Sequence, residues 1–161
     1  MVAAVVSVLA GAPAASAAGT VVNTSPQNAP QLALAKAGPS ASFSLVVLQE
    51  DGPFANQKWT MDQVANLGGG RLAFTYTSSS GGCLDVNADS LQSGAALVVK
   101  PCDGTLSQRW IRDFSVNATF LKLENRNSGL IATADGGSSG TRVTQRADVG
   151  GFNQRWSNFG A

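Results

Sequence analysis

The chain contains no histidine, and only 13% of its 161 residues are charged. Without histidine there is no general base for Ser-His or Cys-His nucleophile systems, and no Gly-x-Ser-x-Gly turn is present to hold a serine in that role. Two cysteines with no imidazole fall short of the four ligands that structural zinc requires. No cofactor and no catalysis are expected. Eleven Lys and Arg stand against ten Asp and Glu, for a net charge of +1. They are scattered along the chain, so the clustered basic footprint of a nucleic-acid binder is missing. Beyond the first residues no apolar run is long enough to cross a bilayer, and a membrane role is not expected either.

What is present begins with residues 1–17, MVAAVVSVLAGAPAASA, an apolar run that ends in the small residues Ala15-Ser16-Ala17. The run is broken by Gly11 and Pro13 and is too short to span a membrane, so it reads as a secretory signal cleaved before Ala18. No Lys or Arg precedes it, which leaves open a start upstream of Met1. The mature chain, 18–161, has the size of a single domain with one core. In an exported chain the even cysteine count, Cys83 and Cys102, favours a disulfide over free thiols.

The tryptophans give the architecture. All three close nearly the same tetrapeptide: Asn56-Gln57-Lys58-Trp59, Ser107-Gln108-Arg109-Trp110 and Asn153-Gln154-Arg155-Trp156, spaced by 51 and 46 residues. Such a period signals a repeat architecture. Counting back eight residues from each Trp gives Asp51, Cys102 and Asp148, and counting back thirteen gives Val46, Leu97 and Val143, with no gap. Upstream of that the middle and last segments still align, whereas the first segment's head, PQLALAKAGPSASF, matches poorly. Short β-rich runs such as Ser44 to Leu48, Leu72 to Thr77, Ala96 to Lys100, Phe120 to Glu124 and Arg142 to Gln145 are punctuated by Gly, Ser, Asn and Asp. The expected fold is therefore all-β: three pseudo-repeats, at about 20–64, 65–115 and 116–161, forming a closed barrel with a hairpin cap. One Trp per repeat suits a shared core, and its Gln neighbour can hydrogen-bond the turn backbone.

Cys83-Leu84-Asp85-Val86, Cys102-Asp103-Gly104 and Gln108-Arg109-Trp110 resemble the ricin B-type lectin repeat, the QxW β-trefoil. The likeness covers about residues 20–161 and is strongest in the middle and last segments. It implies a secreted, non-catalytic carbohydrate-binding module and a disulfide between Cys83 and Cys102 within one repeat. It also implies a sugar site built from an Asp in the first motif, an aromatic two residues before the second Cys position, and the Asn and Gln of the closing motif.

No segment carries the whole set. The middle one has Asp85 and Gln108, but Lys100 stands at the aromatic position and Ser107 at the Asn position. The last has Asn153 and Gln154, but Thr133 replaces the Asp and Arg146 the aromatic. The first has Asn56 and Gln57, with Gln49 at the aromatic position and no Asp that can be placed. The expected site is a weak one at Asp85 and Gln108 with Lys100 beside them, and Asn153 with Gln154 is the next candidate. Asp85 also reads as a solvated or turn-capping strand carboxylate, Asp135 as a turn residue before Gly136-Gly137, and Lys100 and Arg146 as exposed strand charges. Phe54 and Phe152 stand as displaced stacking platforms or as loop packing, and Asn23-Thr24-Ser25 and Asn117-Ala118-Thr119 are glycosylation sequons. Two other functions fit the same fold: a protein-binding trefoil such as a protease inhibitor, and a degenerate structural module. Ten acids also leave a two-carboxylate glycosidase arithmetically open. The oligomeric state is not legible.

Overall fold

Gly, Ser, Asn and Asp clusters interrupt the chain too often for any stretch to hold a helical period, and short strands are the outcome. The computed structural model describes residues 18–25, 30–116 and 120–159, so the proposed signal segment and the second sequon lie outside the described residues. Twelve strands follow one another: β1 (Gly19–Asn23), β2 (Leu32–Lys36), β3 (Ser44–Glu50), β4 (Lys58–Gly68), β5 (Arg71–Ser78), β6 (Cys83–Val86), β7 (Leu97–Lys100), β8 (Trp110–Asp113), β9 (Glu124–Asn125), β10 (Ile131–Ala134), β11 (Val143–Arg146) and β12 (Trp156–Phe159). The sequence anticipated the strand at Phe120 to Glu124 too early. Only a Leu121–Trp156 bridge and the two residues of β9 form there.

The first and last strands of each segment close the barrel. β1 pairs with β4, β4 with β5, β5 with β8 and β8 with β9. The Leu121–Trp156 bridge then leads to β12, which pairs back onto β1. The inner strands form three hairpins, β2–β3, β6–β7 and β10–β11. These meet in a triangle through β3–β7 pairing and the bridges Ala96–Thr144 and Val47–Arg142. The result is a β-trefoil, a closed barrel under a hairpin cap, in which barrel closure removes the sheet edges that short strands would otherwise expose.

Trp59, Trp110 and Trp156 are fully buried in one apolar cluster. Each indole Nε1 donates to a backbone carbonyl of its own segment: Leu34 at 2.9 Å, Leu84 at 3.0 Å and Ala132 at 2.9 Å. These three bonds supply the register that the first segment's head concealed. Leu34, Leu84 and Ala132 are equivalent, hence so are Ala35, Asp85 and Thr133. The head matches poorly because the next position is Lys36, where the other segments have Val86 and Ala134. Lys36 is buried, and its ammonium donates to the Pro39 and Gly81 carbonyls and to both Ser80 oxygens at 3.2–3.4 Å. The hydrogen bonds a buried charge requires are thereby met without a carboxylate.

Two further local features fix the middle hairpin. The disulfide joins Cys83 on β6 to Cys102 just past β7, with the Cα atoms 5.0 Å apart. Before it, Gly82 has φ +87°, and a Cβ there would meet Val99 Cγ1 at 2.5 Å and the Lys100 carbonyl at 2.9 Å. Only glycine fits that turn.

Candidate functional site

The glutamines of the three closing motifs, Gln57, Gln108 and Gln154, are buried and do the same work in each segment. Each Oε1 accepts from the backbone N–H five residues earlier: Gly52 at 2.9 Å, Asp103 at 3.0 Å and Val149 at 2.9 Å. Each Nε2 donates to the carbonyl seven residues earlier: Glu50 at 2.6 Å, Pro101 at 2.8 Å and Ala147 at 2.8 Å. The amides thus fasten the loop entering the closing turn. Their exposure is 0%, so they act on a ligand only by positioning neighbours.

In the middle segment, Nε2 of Gln108 also donates to Asp85 Oδ2 at 3.0 Å. Asp85 is not the solvated carboxylate that strand alternation suggested. All four residues of β6 are buried, because Leu84 faces the core and Asp85 is covered by the closing turn and Lys100. Oδ1 accepts from the Val86 N–H at 2.6 Å, and the Lys100 ammonium lies 3.2 Å from Oδ2. Lys100 also reaches Asp89 Oδ1 at 3.1 Å, which takes the Ser107 hydroxyl at 2.8 Å as well. The Ser107 hydroxyl and Lys100 hold the Asp89 carboxyl below its ordinary range. Burial opposes the charge on Lys100, yet bonds to Asp89 and Asp85 outweigh it and raise its pKa. The expected middle site is thus filled by the protein's own lysine.

The first segment has Ala35 at the Asp position, and its Asn56 amide is committed to the Lys36 carbonyl at 3.0 Å and to Gln49 Oε1 at 2.8 Å.

The last segment is arranged differently. Gln154 Nε2 reaches the Thr133 hydroxyl at 3.1 Å where Gln108 meets a carboxylate. The carboxylate has moved two residues along, to Asp135. Arg146 donates to Asp135 Oδ1 through Nε at 3.0 Å and through a terminal nitrogen at 2.8 Å, and the Thr144 hydroxyl joins them at 2.8 Å. All three bonds fall on one oxygen; among the described residues none falls on Oδ2. Arg146 therefore orients Asp135 from the side rather than sealing it, as Lys100 seals Asp85. Asp135 borders a cavity of about 340 Å³, with Gly136, Gly137, Asn153 and Phe152 from the same segment and Asn23 and Ser25 from β1 and its exit. The Asn153 amide donates to the Ala134 carbonyl at 3.2 Å, and the half-exposed Phe152 ring has the Arg155 guanidinium 4.5 Å from its centroid. A carboxylate, an amide, two glycines and an aromatic ring around one open concavity can receive a polyhydroxylated ligand with an apolar face.

The sequence had singled out Asn153 and weighed Asp135 and Phe152 separately, and Gly136-Gly137 marked the turn. Asn23 and Ser25 stood out only as a sequon and not as site residues, since the β1–β12 pairing that brings them over spans the whole chain. Asn23 is itself buried, with its amide 3.2 Å from the Arg155 carbonyl, so the folded chain does not offer this sequon for glycosylation. Among the described residues no group of three or more His, Cys, Asp or Glu converges as a metal site would require, and no helix is long and apolar enough to cross a membrane.

The fold recurs in solved structures. The designed threefold-symmetric protein ThreeFoil superposes with a TM-score of 0.76 at 24% identity, covering 89% of this chain and 99% of the design. The ricin B-like lectin of Macrolepiota procera, solved in complex with lactose, gives 0.69 at 15% identity over 92% of this chain and 98% of the lectin. An exo-β-1,3-galactanase from Clostridium thermocellum gives 0.74 at 21% identity, covering 90% of this chain but only 30% of that enzyme. At these identities the likeness is one of fold. Compared by sequence with curated proteins, the chain matches none. The family model of the ricin-type β-trefoil lectin domain-like proteins matches residues 55–145, more than half of the sequence, from the first closing motif through the last hairpin. With three closures bonded alike around one barrel, the chain belongs to the ricin-type β-trefoil lectin domain-like family.

Proposed function

We propose that this protein is a secreted, non-catalytic carbohydrate-binding module whose sugar site is the cavity of the last segment. The observation that carries this reading is the contrast in access: Asp85 is buried beneath Lys100, while Asp135 borders an open cavity with Asn153 and Phe152. In the proposed mode Asp135 Oδ2 accepts from sugar hydroxyls, Asn153 and the glycine backbone complete the orientation, and Phe152 packs on the C–H face. Gln154 holds the closing turn from within. Asp85, Gln108 and Lys100 form a site that becomes available only if the lysine withdraws, so the module is weaker than one with three open sites. Among the described residues Asp135 is the single carboxylate lining the cavity it borders, whereas glycoside hydrolysis uses a pair about 5–9.5 Å apart. The disulfide and the apolar segment 1–17 support an extracellular setting.

Lactose contains galactose, as do β-1,3-galactans, so galactose-type glycans are the first ligands to test. On a glycan array, residues 18–161 should retain such glycans and Asp135→Ala should lose them. Silence across the array would instead favour the protein-binding reading of the same fold.

A further inference from the structure

A second cavity, of about 450 Å³, lies along the barrel beside the first. Its apolar lining includes Ile111, Ile131 and Phe120, and five of its nine lining residues are charged. It is joined to the first cavity by one side chain. The Arg155 guanidinium lies 4.5 Å from the Phe152 ring centroid, in the wall of the first cavity, and 5.3 Å from that of Phe120, in the wall of the second. Both rings are partly exposed, so the two cavities share an aromatic ridge with an arginine at its centre.

The equivalent space is built differently in the other two segments. Ile131 precedes Ala132 as Cys83 precedes Leu84, and Asp148 stands eight residues before its Trp as Cys102 does. Where the last segment has Ile131 and Asp148 lining a cavity, the middle segment has Cys83 and Cys102 joined by a disulfide. The first has Ala33 and Asp51. The cavity, walled also by Ile111 and Asp113 of β8, therefore opens on the side of the last segment, where Asp135 borders the first cavity.

We propose that the ligand of this chain is an extended oligosaccharide: one sugar unit occupies the Asp135 cavity, the chain crosses the Phe152–Arg155–Phe120 ridge, and further units enter the second cavity. This rests on the reading of the first cavity as a sugar site. A sugar suits the second cavity because its C–H faces match Ile111, Ile131 and Phe120 while its hydroxyls match the charged rim. An apolar group would strand those charges. In this mode the acids there act as acceptors, each already held by a partner. Glu124 is held by Arg71 through both oxygens at 2.9 and 3.0 Å, Asp148 by Lys122 at 2.6 Å, and Asp113 by the Ser115 hydroxyl at 2.6 Å. The Lys122 and Ser115 bonds hold Asp148 and Asp113 below the ordinary carboxylate range, opposite to the shift a general acid needs.

The test is calorimetry of residues 18–161 with galactose, β-1,3-galactobiose and β-1,3-galactotetraose, repeated with Phe120→Ala and Phe120→Tyr. The expected result is a gain of about tenfold or more in affinity from galactose to the tetraose, of the size one buried side-chain-sized contact gives. Phe120→Ala should abolish that gain and leave galactose binding unchanged, and Phe120→Tyr, which keeps the ring, should retain it. Affinity independent of length, or a gain that survives in Phe120→Ala, overturns the extended ligand alone. Absence of binding by every member, galactose included, overturns the reading of the first cavity and this one with it.

Discussion

The middle and last segments share one skeleton and differ in what they expose. In both, a buried tryptophan bonds a hairpin carbonyl at about the same distance, and a buried glutamine fastens the loop through the same two backbone groups. Around that skeleton the middle segment buries its carboxylate under Lys100 and closes its flank with a disulfide, while the last holds Asp135 from the side and leaves two cavities. A residue that recurs once per repeat serves the barrel. Those that differ between repeats decide which carboxylate is covered and which borders a cavity.

Breaking the common skeleton should have the largest effect, and an equal one in both segments. Trp110→Ala and Trp156→Ala are each expected to cost about 3–5 kcal/mol, the range for deleting a large buried ring, as read from urea unfolding. A large inequality between them would show that the pseudo-symmetry is not energetic. Next in size is a feature of the middle segment alone. Replacing Cys83 and Cys102 together by alanine should cost roughly 3 kcal/mol, the usual value for a loop of this length, while leaving sugar binding in place. Loss of binding with the disulfide would tie the two segments together in a way the structure does not show.

Asp135→Ala sharpens the comparison at the level of function. It should weaken galactose-type ligands by about tenfold or more and lower stability only modestly, since Arg146 is exposed and only the buried Thr144 hydroxyl loses its acceptor. Asp85→Ala should do the reverse, lowering stability because the half-buried Lys100 loses one of its two carboxylates and the buried Gln108 amide one of its two acceptors, with binding preserved. The smallest effect concerns pH. The folded-state pKa of Asp89 lies below 3.8, so its contribution is present above that value and lost as pH falls through the folded pKa. Lys100 is raised above 10.5, so its contribution holds below that value and is lost as pH rises through the folded pKa. Thermal unfolding of Asp89→Asn should show a slightly shallower loss of stability in acid than the wild type.

The architecture was legible because it is written once per repeat: three Gln-x-Trp closures at near-equal spacing allow little else. The head of the first segment was not, because Lys36 stands where apolar side chains stand in the other two, and only the Trp59 bond to Leu34 reveals the register. Strand alternation placed Asp85 in solvent, yet the closing turn and Lys100 cover the outer face of β6. Alternation describes one sheet face and says nothing of a turn folded over the other. Asn153 was readable from its motif. Its companions Asn23 and Ser25 come from the opposite end of the chain, and no local pattern records a neighbour brought there by barrel closure.

The most direct test is amide NMR of isotope-labelled residues 18–161 titrated with lactose. Access to the last segment predicts that Asp135, Gly136, Gly137 and Asn153 shift together while Asp85, Lys100 and Gln108 stay in place. Shifts centred on Asp85 and Lys100, with the last segment silent, would contradict the account.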